Sequence, residues 1–295
     1  MTQTTKATIA FLGVGQMGTP MATRLLGAGF ALRVWNRSPQ HTAALVDAGA
    51  TAASTPADAA KGAAFVITML PDGATVESVA LGGDGALDAL AEGAFWLQMS
   101  TVGVDWTARL KEEATLRGVT YVDAPVSGSV GPATNGTLVI LASGPVESRE
   151  RSTPVFESLG RIVWLGDAGA GSAAKLVLNN WLADIVEATV ETIRFSASLG
   201  LNPKDIIDLL EGLPLGSPFG VAKARQMLGG DFAPSFALKH ALKDVDLAVT
   251  TARARGARLL LSEAFLESWH QAVDSGLGDR DVSAVFAAET SSTAS

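Results

Sequence analysis

Near its start the chain has a short apolar run, Ala7-Thr-Ile-Ala-Phe-Leu12. It passes without a break into Gly13-Val14-Gly15-Gln16-Met17-Gly18 and then into a helical pattern from Thr19 to Leu26. A buried strand, a turn with three glycines and a helix, in that order, leave few folds open. The first glycine permits the tight turn, the second lets backbone approach a pyrophosphate, and the third packs helix on strand. The helix start then offers N–H donors and a favourable dipole to phosphate. The segment predicts a parallel α/β domain that holds a dinucleotide along Gly13 to Gly18.

A second strand, Phe30 to Trp35, ends in Asn36-Arg37-Ser38. A chain of this kind that binds NAD usually places an acidic residue there for the ribose 2′-hydroxyl. A carboxylate would repel a 2′-phosphate, whereas Arg37 can bind one by charge-assisted hydrogen bonds. NADP(H) is therefore expected in preference to NAD(H), with a solvated loop cation as the alternative reading of Arg37. Further β–α units follow: Ala64–Leu70 ending at Pro71, Phe95–Met99 ending at Ser100-Thr101, a helix from Val104 to Arg117, and Thr120–Asp123. Ligands in such folds lie beyond the carboxyl ends of the strands, so Leu70, Pro71, Ser100 and Thr101, with Thr75, are expected to line the cofactor. The loop Asp123-Ala-Pro-Val-Ser127-Gly128-Ser129 offers a hydroxyl and a backbone N–H suited to a carboxylate, although a plain turn uses the same residue types. Gly136–Ser143 and Arg161–Leu165 are expected to complete the sheet.

After Gly166 the alternation gives way to helices. Gly169 to Asn180 opens an apolar, helix-favouring pattern that runs to Gly200, about 30 residues or roughly 45 Å of rod. Such a rod can join two domains. Gly171, Lys175 and Asn179 stand four apart and share one face. Near the helix start, dipole and partial burial both disfavour a charged lysine, which suits Lys175 to acid–base work. Asn179 would hold Lys175 or a substrate by hydrogen bonding. A lysine snorkelling from an amphipathic helix would give the same pattern.

Composition narrows the class. Hydrophobic residues make up 47% of the 295, enough for a large core, and the net charge of −8 with 18% charged residues argues against nucleic acid as a partner. No apolar run reaches the roughly 20 residues of a membrane span, and no signal-peptide pattern precedes the first strand. With no cysteine there is no thiolate metal site, and His41, His240 and His270 are too scattered for a zinc set, so no metal is expected. The expected plan is a cytoplasmic protein with a cofactor domain over 1–166, a helical substrate and dimerisation domain over 167–289, and a disordered tail over 290–295. So apolar a helical half points to a homodimer or homotetramer.

Four segments in fixed order resemble one family, the β-hydroxyacid dehydrogenases related to 3-hydroxyisobutyrate dehydrogenase. They are Phe11 to Gly18 with Pro20-Met21-Ala22, Asp123 to Gly128, Gly171-x-x-x-Lys175-x-x-x-Asn179, and Lys243-Asp244. The resemblance implies a Rossmann α/β domain followed by an all-α C-terminal domain, joined by a long interdomain helix, with the active site at the junction. It implies Lys175 as the catalytic acid–base, Ser127, Gly128 and Asn179 at the substrate, and Thr101 and Lys243 near the nicotinamide. Gly128-Ser129, where many members carry Gly-Gly, together with Leu238-Lys-His240 and Gly276-Leu-Gly-Asp279, looks like the glyoxylate and succinic semialdehyde reductase branch. In that branch Phe236 and Asp244 would help shape the substrate site, while Ser217-Pro-Phe-Gly-Val221 departs from its Asn-Pro-Met-Phe-Lys pattern. The implied activity is hydride transfer between NADP(H) and a small aldehyde acid or its hydroxy acid. An imine reductase of the same architecture usually carries something other than lysine at position 175. A 6-phosphogluconate-type enzyme would want a histidine where Leu178 stands, and a non-catalytic NADP-binding module would be expected to lose the lysine.

Overall fold

Six strands, β1 (Lys6–Leu12), β2 (Phe30–Trp35), β3 (Thr51–Ala52), β4 (Phe65–Thr68), β5 (Phe95–Gln98) and β6 (Thr120–Asp123), pair in parallel in the order β3-β2-β1-β4-β5-β6. The computed structural model describes residues 6–288, so the tail expected over 290–295 lies outside the described residues. The chain divides into two compact units, Met1–Lys175 and Leu176–Ser295. In the first, β4 and β5 are buried along their whole length because helices cover both faces of the sheet, and this is why they read as unbroken apolar runs. Ile9, Phe11, Ile67 and Leu97 point into one core layer, and Ala10, Leu12, Val66 and Trp96 into the other. Strand order reverses between β1 and β4, which puts the ligand crevice at the carboxyl ends of those two strands.

The later strands do not complete that sheet, as the sequence reading expected. Instead, β7 (Val126–Ser127), β8 (Leu138–Ala142) and β9 (Gly160–Trp164) form a second sheet, with β7 antiparallel to β8 and β8 parallel to β9. Pro125 supplies the physical reason. It has no N–H to continue a ladder beyond β6, so the chain turns and pairs anew. Among the described residues one isolated bridge, Asp123 with Ser143, connects the two sheets. The small sheet still contributes Leu138, Ile140 and Ala142 to the first core layer.

The helix Ala170–Ser198 matches the expected rod, and the division between the units falls inside it, after Lys175. The second unit is helical: Pro203–Glu211, Pro218–Gly229, Leu238–Ala254, Leu260–Ala272 and Val285–Ala288 follow. The Asn202 side chain accepts the Lys204 N–H ahead of Pro203, so these two residues cap and open that helix. The next helix begins at Pro218, with the Ser217 side chain accepting the Gly220 N–H as its N-cap. Val186, Val190, Leu242, Val245, Phe265 and Trp269 form this unit's core. No helix among the described residues is long and apolar enough to cross a membrane.

Candidate active site

Each glycine of the first turn meets a different environment. Gly13 has φ +100°, and a Cβ there would fall 2.3 Å from the Met69 carbonyl oxygen, so the loops after β1 and β4 touch at the point where strand order reverses. A Cβ on Gly18 would lie 1.9 Å from the Gly13 carbonyl oxygen. Around Gly15 there is nothing within 4 Å of the same atom. Gly13 and Gly18 are therefore fixed by the protein's own packing, while Gly15 faces open space that a Cβ would encroach on. The helix Gly18–Gly27 that follows has no acidic residue in its first turn and no side chain capping its start. An unobstructed glycine beside an uncapped helix start fits a dinucleotide pyrophosphate.

The three residues after β2 play different parts. Asn36 Oδ1 accepts the Val14 N–H at 3.2 Å, and its Nδ2 donates to the Ser38 carbonyl at 3.2 Å. With Oδ1 assigned in this way, Nδ2 also donates to His41 Nδ1, 3.3 Å away. Asn36 therefore braces the glycine turn from β2, and Arg37 remains exposed beside it. Leu70 donates its N–H to the buried Ser100 Oγ at 2.9 Å, and Ser100 Oγ donates to the Thr68 carbonyl. This ties the turn after β4 to the one after β5. Thr75 stands in the first turn of Gly73–Leu81, where its N–H is capped by Asp72 at 2.7 Å. Thr101 follows β5, half-buried.

Ser127 ends β7 and is half-buried. Gly128 has φ +126°, and a Cβ there would sit 2.9 Å from Leu138 Cδ2 and 3.0 Å from Pro132 Cβ, so only glycine fits. Lys175 is 8% exposed and Asn179 5% exposed, one turn apart on the long helix. Gly171, one turn earlier, allows a close approach, but to the protein itself. A Cβ there would meet the Leu141 carbonyl oxygen at 2.1 Å.

In the second unit, Asn179 Nδ2 donates to Asp244 Oδ2 at 2.5 Å. The other oxygen of that buried carboxylate lies 2.9 Å from Lys243 Nζ, an ion pair without hydrogen-bond angles. Asp244 thus uses its carboxylate to hold Asn179 and Lys243. Phe236 is half-buried against the helical core, and its N–H reaches Asp281 Oδ2 at 3.3 Å. Asp281 also binds Lys223 Nζ at 2.6 Å. Burial pushes the Asp281 carboxyl up, but Lys223 and the N–H groups of Ser283 and Ser235 outweigh it and hold it at about 2.

Sequence reasoning missed one group in the first unit. The Asp123 carboxylate accepts from the Ser172 hydroxyl at 2.7 Å, the Ser172 N–H at 2.8 Å, the Ser143 hydroxyl at 3.1 Å and the Gly169 N–H at 3.2 Å. Burial raises its pKa, and these donors pull the other way. These donors lie 20 to 49 residues away along the chain, beyond any local pattern.

Comparison with known proteins decides the family. A family model described as the NAD binding domain of 6-phosphogluconate dehydrogenase matches residues 8–166. A second, described as NAD-binding of NADP-dependent 3-hydroxyisobutyrate dehydrogenase, matches 169–288. The chain belongs to the β-hydroxyacid dehydrogenase family. Similar β-hydroxyacid dehydrogenases include glyoxylate/succinic semialdehyde reductase 1 of Arabidopsis thaliana, 34% identical over 95% of this chain and 97% of that protein. The 3-sulfolactaldehyde reductase of Escherichia coli (strain K12) is 36% identical over 95% of each. The structure of Mycobacterium tuberculosis 3-hydroxyisobutyrate dehydrogenase with L-serine superposes with a TM-score of 0.86 at 30% identity, covering 95% of this chain and 98% of that one. As a member of this family the protein is an NAD(P)-dependent oxidoreductase acting on hydroxyl and aldehyde groups.

Proposed function

We propose that the protein reduces a small aldehyde acid such as succinic semialdehyde or glyoxylate, and reversibly oxidises the hydroxy acid, with NADPH preferred over NADH. The observation that carries this reading is the burial of Lys175, an amine held 8% exposed one turn from Asn179. A buried amine in a chain of this family has a chemical task that a snorkelling lysine has not. In reduction Lys175 Nζ gives a proton to the carbonyl oxygen as the C–H bond forms, and it is reprotonated from water. In oxidation the neutral amine takes the hydroxyl proton. Ser127 Oγ and the Gly128 N–H bind the substrate carboxylate, and Asn179 orients the reacting oxygen. Gly13 to Gly18 hold the pyrophosphate and Arg37 the 2′-phosphate, with Asn36 and Ser38 beside it. Leu70, Pro71, Thr75, Thr101 and Lys243 line the remainder of the cofactor site. When bound, the dinucleotide supplies or accepts the hydride.

We further propose that residues 1–166 serve the cofactor and 167–289 the substrate and self-association. In the second unit the long helix exposes Val177, Trp181 and Phe195, each more than three-fifths accessible, an apolar face suited to a homodimer or homotetramer. Sedimentation equilibrium tests that point. The activity is tested with Lys175→Ala on succinic semialdehyde and glyoxylate, each with NADPH and NADH, with a cyclic imine as control. Turnover falls on the order of 10²- to 10⁴-fold while NADPH binding persists. Near-normal turnover with tight NADPH binding refutes the acid–base assignment.

A further inference from the structure

The first turn of a helix leaves its N–H groups without internal partners, and a neighbouring side chain in sequence ordinarily takes them. The helix Ala170–Ser198 is started differently. The Ala170 N–H donates to the Asp167 carbonyl at 3.1 Å, and the first internal bond runs from Ala173 N–H to Gly169 at 3.0 Å. Between them, the Gly171 N–H donates to Ser143 Oγ at 2.9 Å, and the Ser172 N–H to Asp123 Oδ2 at 2.8 Å. The Gly169 N–H reaches both acceptors, at 3.2 and 3.3 Å. Ser172 Oγ donates to Asp123 Oδ1 and lies 2.9 Å from Thr107 Oγ1. The cap is thus supplied by the end of β6 and the residue after β8.

Asp123 is itself immobilised. Its N–H donates to the Ser143 carbonyl at 2.9 Å and its carbonyl accepts the Ser143 N–H at 2.7 Å. The Ala124 N–H donates to Gln98, Pro125 accepts from Leu141, and Ser127 pairs with Val139. Every residue from Asp123 to Ser127 has a fixed place, and the same short segment carries Ser127 and Gly128. Lys175 stands three residues after Ser172, on the same side of the helix and roughly 4.5 Å further along its axis. Gly171 presses the helix backbone onto the Leu141 carbonyl, leaving no room for a compensating slide. A buried carboxylate is costly, and helix stability alone would be served by a serine or aspartate at position 169.

We propose that Asp123 is a positioning residue: it fixes the start of the acid–base helix to the end of β6 and so sets Lys175 against the substrate. The proposal rests on the reading of Lys175 given above. Displacement of a reacting group by about 1 Å can cost on the order of 100-fold in rate.

The test uses full-length Asp123→Ala, Asp123→Asn and Ser172→Ala, each alone and with Lys175→Ala. Asp123→Ala lowers kcat about 100-fold, leaving NADPH binding by fluorescence titration within a few-fold of the parent. Asp123→Asn retains most of kcat, because its carbonyl can accept both N–H groups while its amide donates to Ser172 Oγ. Combined with Lys175→Ala, neither Asp123→Ala nor Ser172→Ala lowers kcat further, and added methylamine rescues single and double variants to the same rate. If Asp123→Ala does not fold, Asp123→Asn and Ser172→Ala carry the comparison, with Ser172→Ala expected to lower kcat several-fold at unchanged KM. Losses that multiply with Lys175→Ala, or an Asp123→Asn variant as impaired as the alanine, overturn the proposal and leave the acid–base reading intact. Near-normal turnover of Lys175→Ala alone overturns both.

Discussion

Lys223 Nζ and Asp281 Oδ1 lie 2.6 Å apart with side chains 7% and 0% exposed, a buried ion pair in the helical unit. Asp281 accepts in addition from the Ser235 hydroxyl and N–H and from both donors of Ser283. The pair therefore anchors the segment that leads into Phe236. Removing one partner leaves an uncompensated buried charge. Lys223→Met is expected to cost about 3–5 kcal/mol in urea unfolding, while Lys223→Met with Asp281→Leu recovers much of that loss.

The same carboxylate sets an acid limit. Its folded pKa, about 2, lies below the ordinary 3.8, so its contribution to stability is complete above about pH 4 and disappears as pH falls through about 2. That contribution is roughly 2 kcal/mol. Urea midpoints measured between pH 5 and pH 2 should fall more steeply for the parent than for the double variant.

The two outer glycines of the first turn should separate from the middle one. Gly18→Ala puts a Cβ onto the Gly13 carbonyl and is expected to lose both thermal stability and cofactor binding. Gly15→Ala meets no protein atom, so it should retain its melting temperature and weaken NADPH binding alone. Calorimetry and fluorescence titration on the two variants check this.

Arg37→Ala should raise KM for NADPH about 10- to 100-fold, the worth of a charge-assisted contact, and leave KM for NADH nearly unchanged. An equal effect on both cofactors would remove Arg37 from the 2′-phosphate.

Gly171→Ala is expected to destabilise the first unit by about 1–3 kcal/mol and to lower kcat with it, because the added methyl meets backbone, which cannot rotate aside. Thermal unfolding alongside steady-state kinetics measures both effects.

Sequence carried much of this. The strands β1, β2, β5 and β6 and the rod were legible because their patterns are local: apolar runs with glycine or proline stops, and a 3.6-residue period between Gly169 and Gly200. What escaped depends on contacts across the chain. The space left by the missing side chain of Gly171 is taken by the Leu141 carbonyl, and nothing in a G-x-x-x-K spacing distinguishes that from room for a ligand. Asn36 stands where an acidic residue would meet a ribose, but its amide is committed to Val14, Ser38 and His41, and no pattern of side-chain types reveals a backbone partner 22 residues away. The second sheet was missed because β7 has two residues, too few for a period. Asp123 and its donors, like Lys223 and Asp281, meet only in the folded chain.

The small sheet β7-β8-β9 has an evolutionary reading. It bears Ser127 at one end and joins the dinucleotide frame through the bridge at Asp123 and Ser143. Under the proposed role of Ser127, residues along this sheet can be exchanged without redrawing the six-stranded frame. Grafting 126–138 from one family member into another is the direct way to ask whether this segment carries a substrate preference.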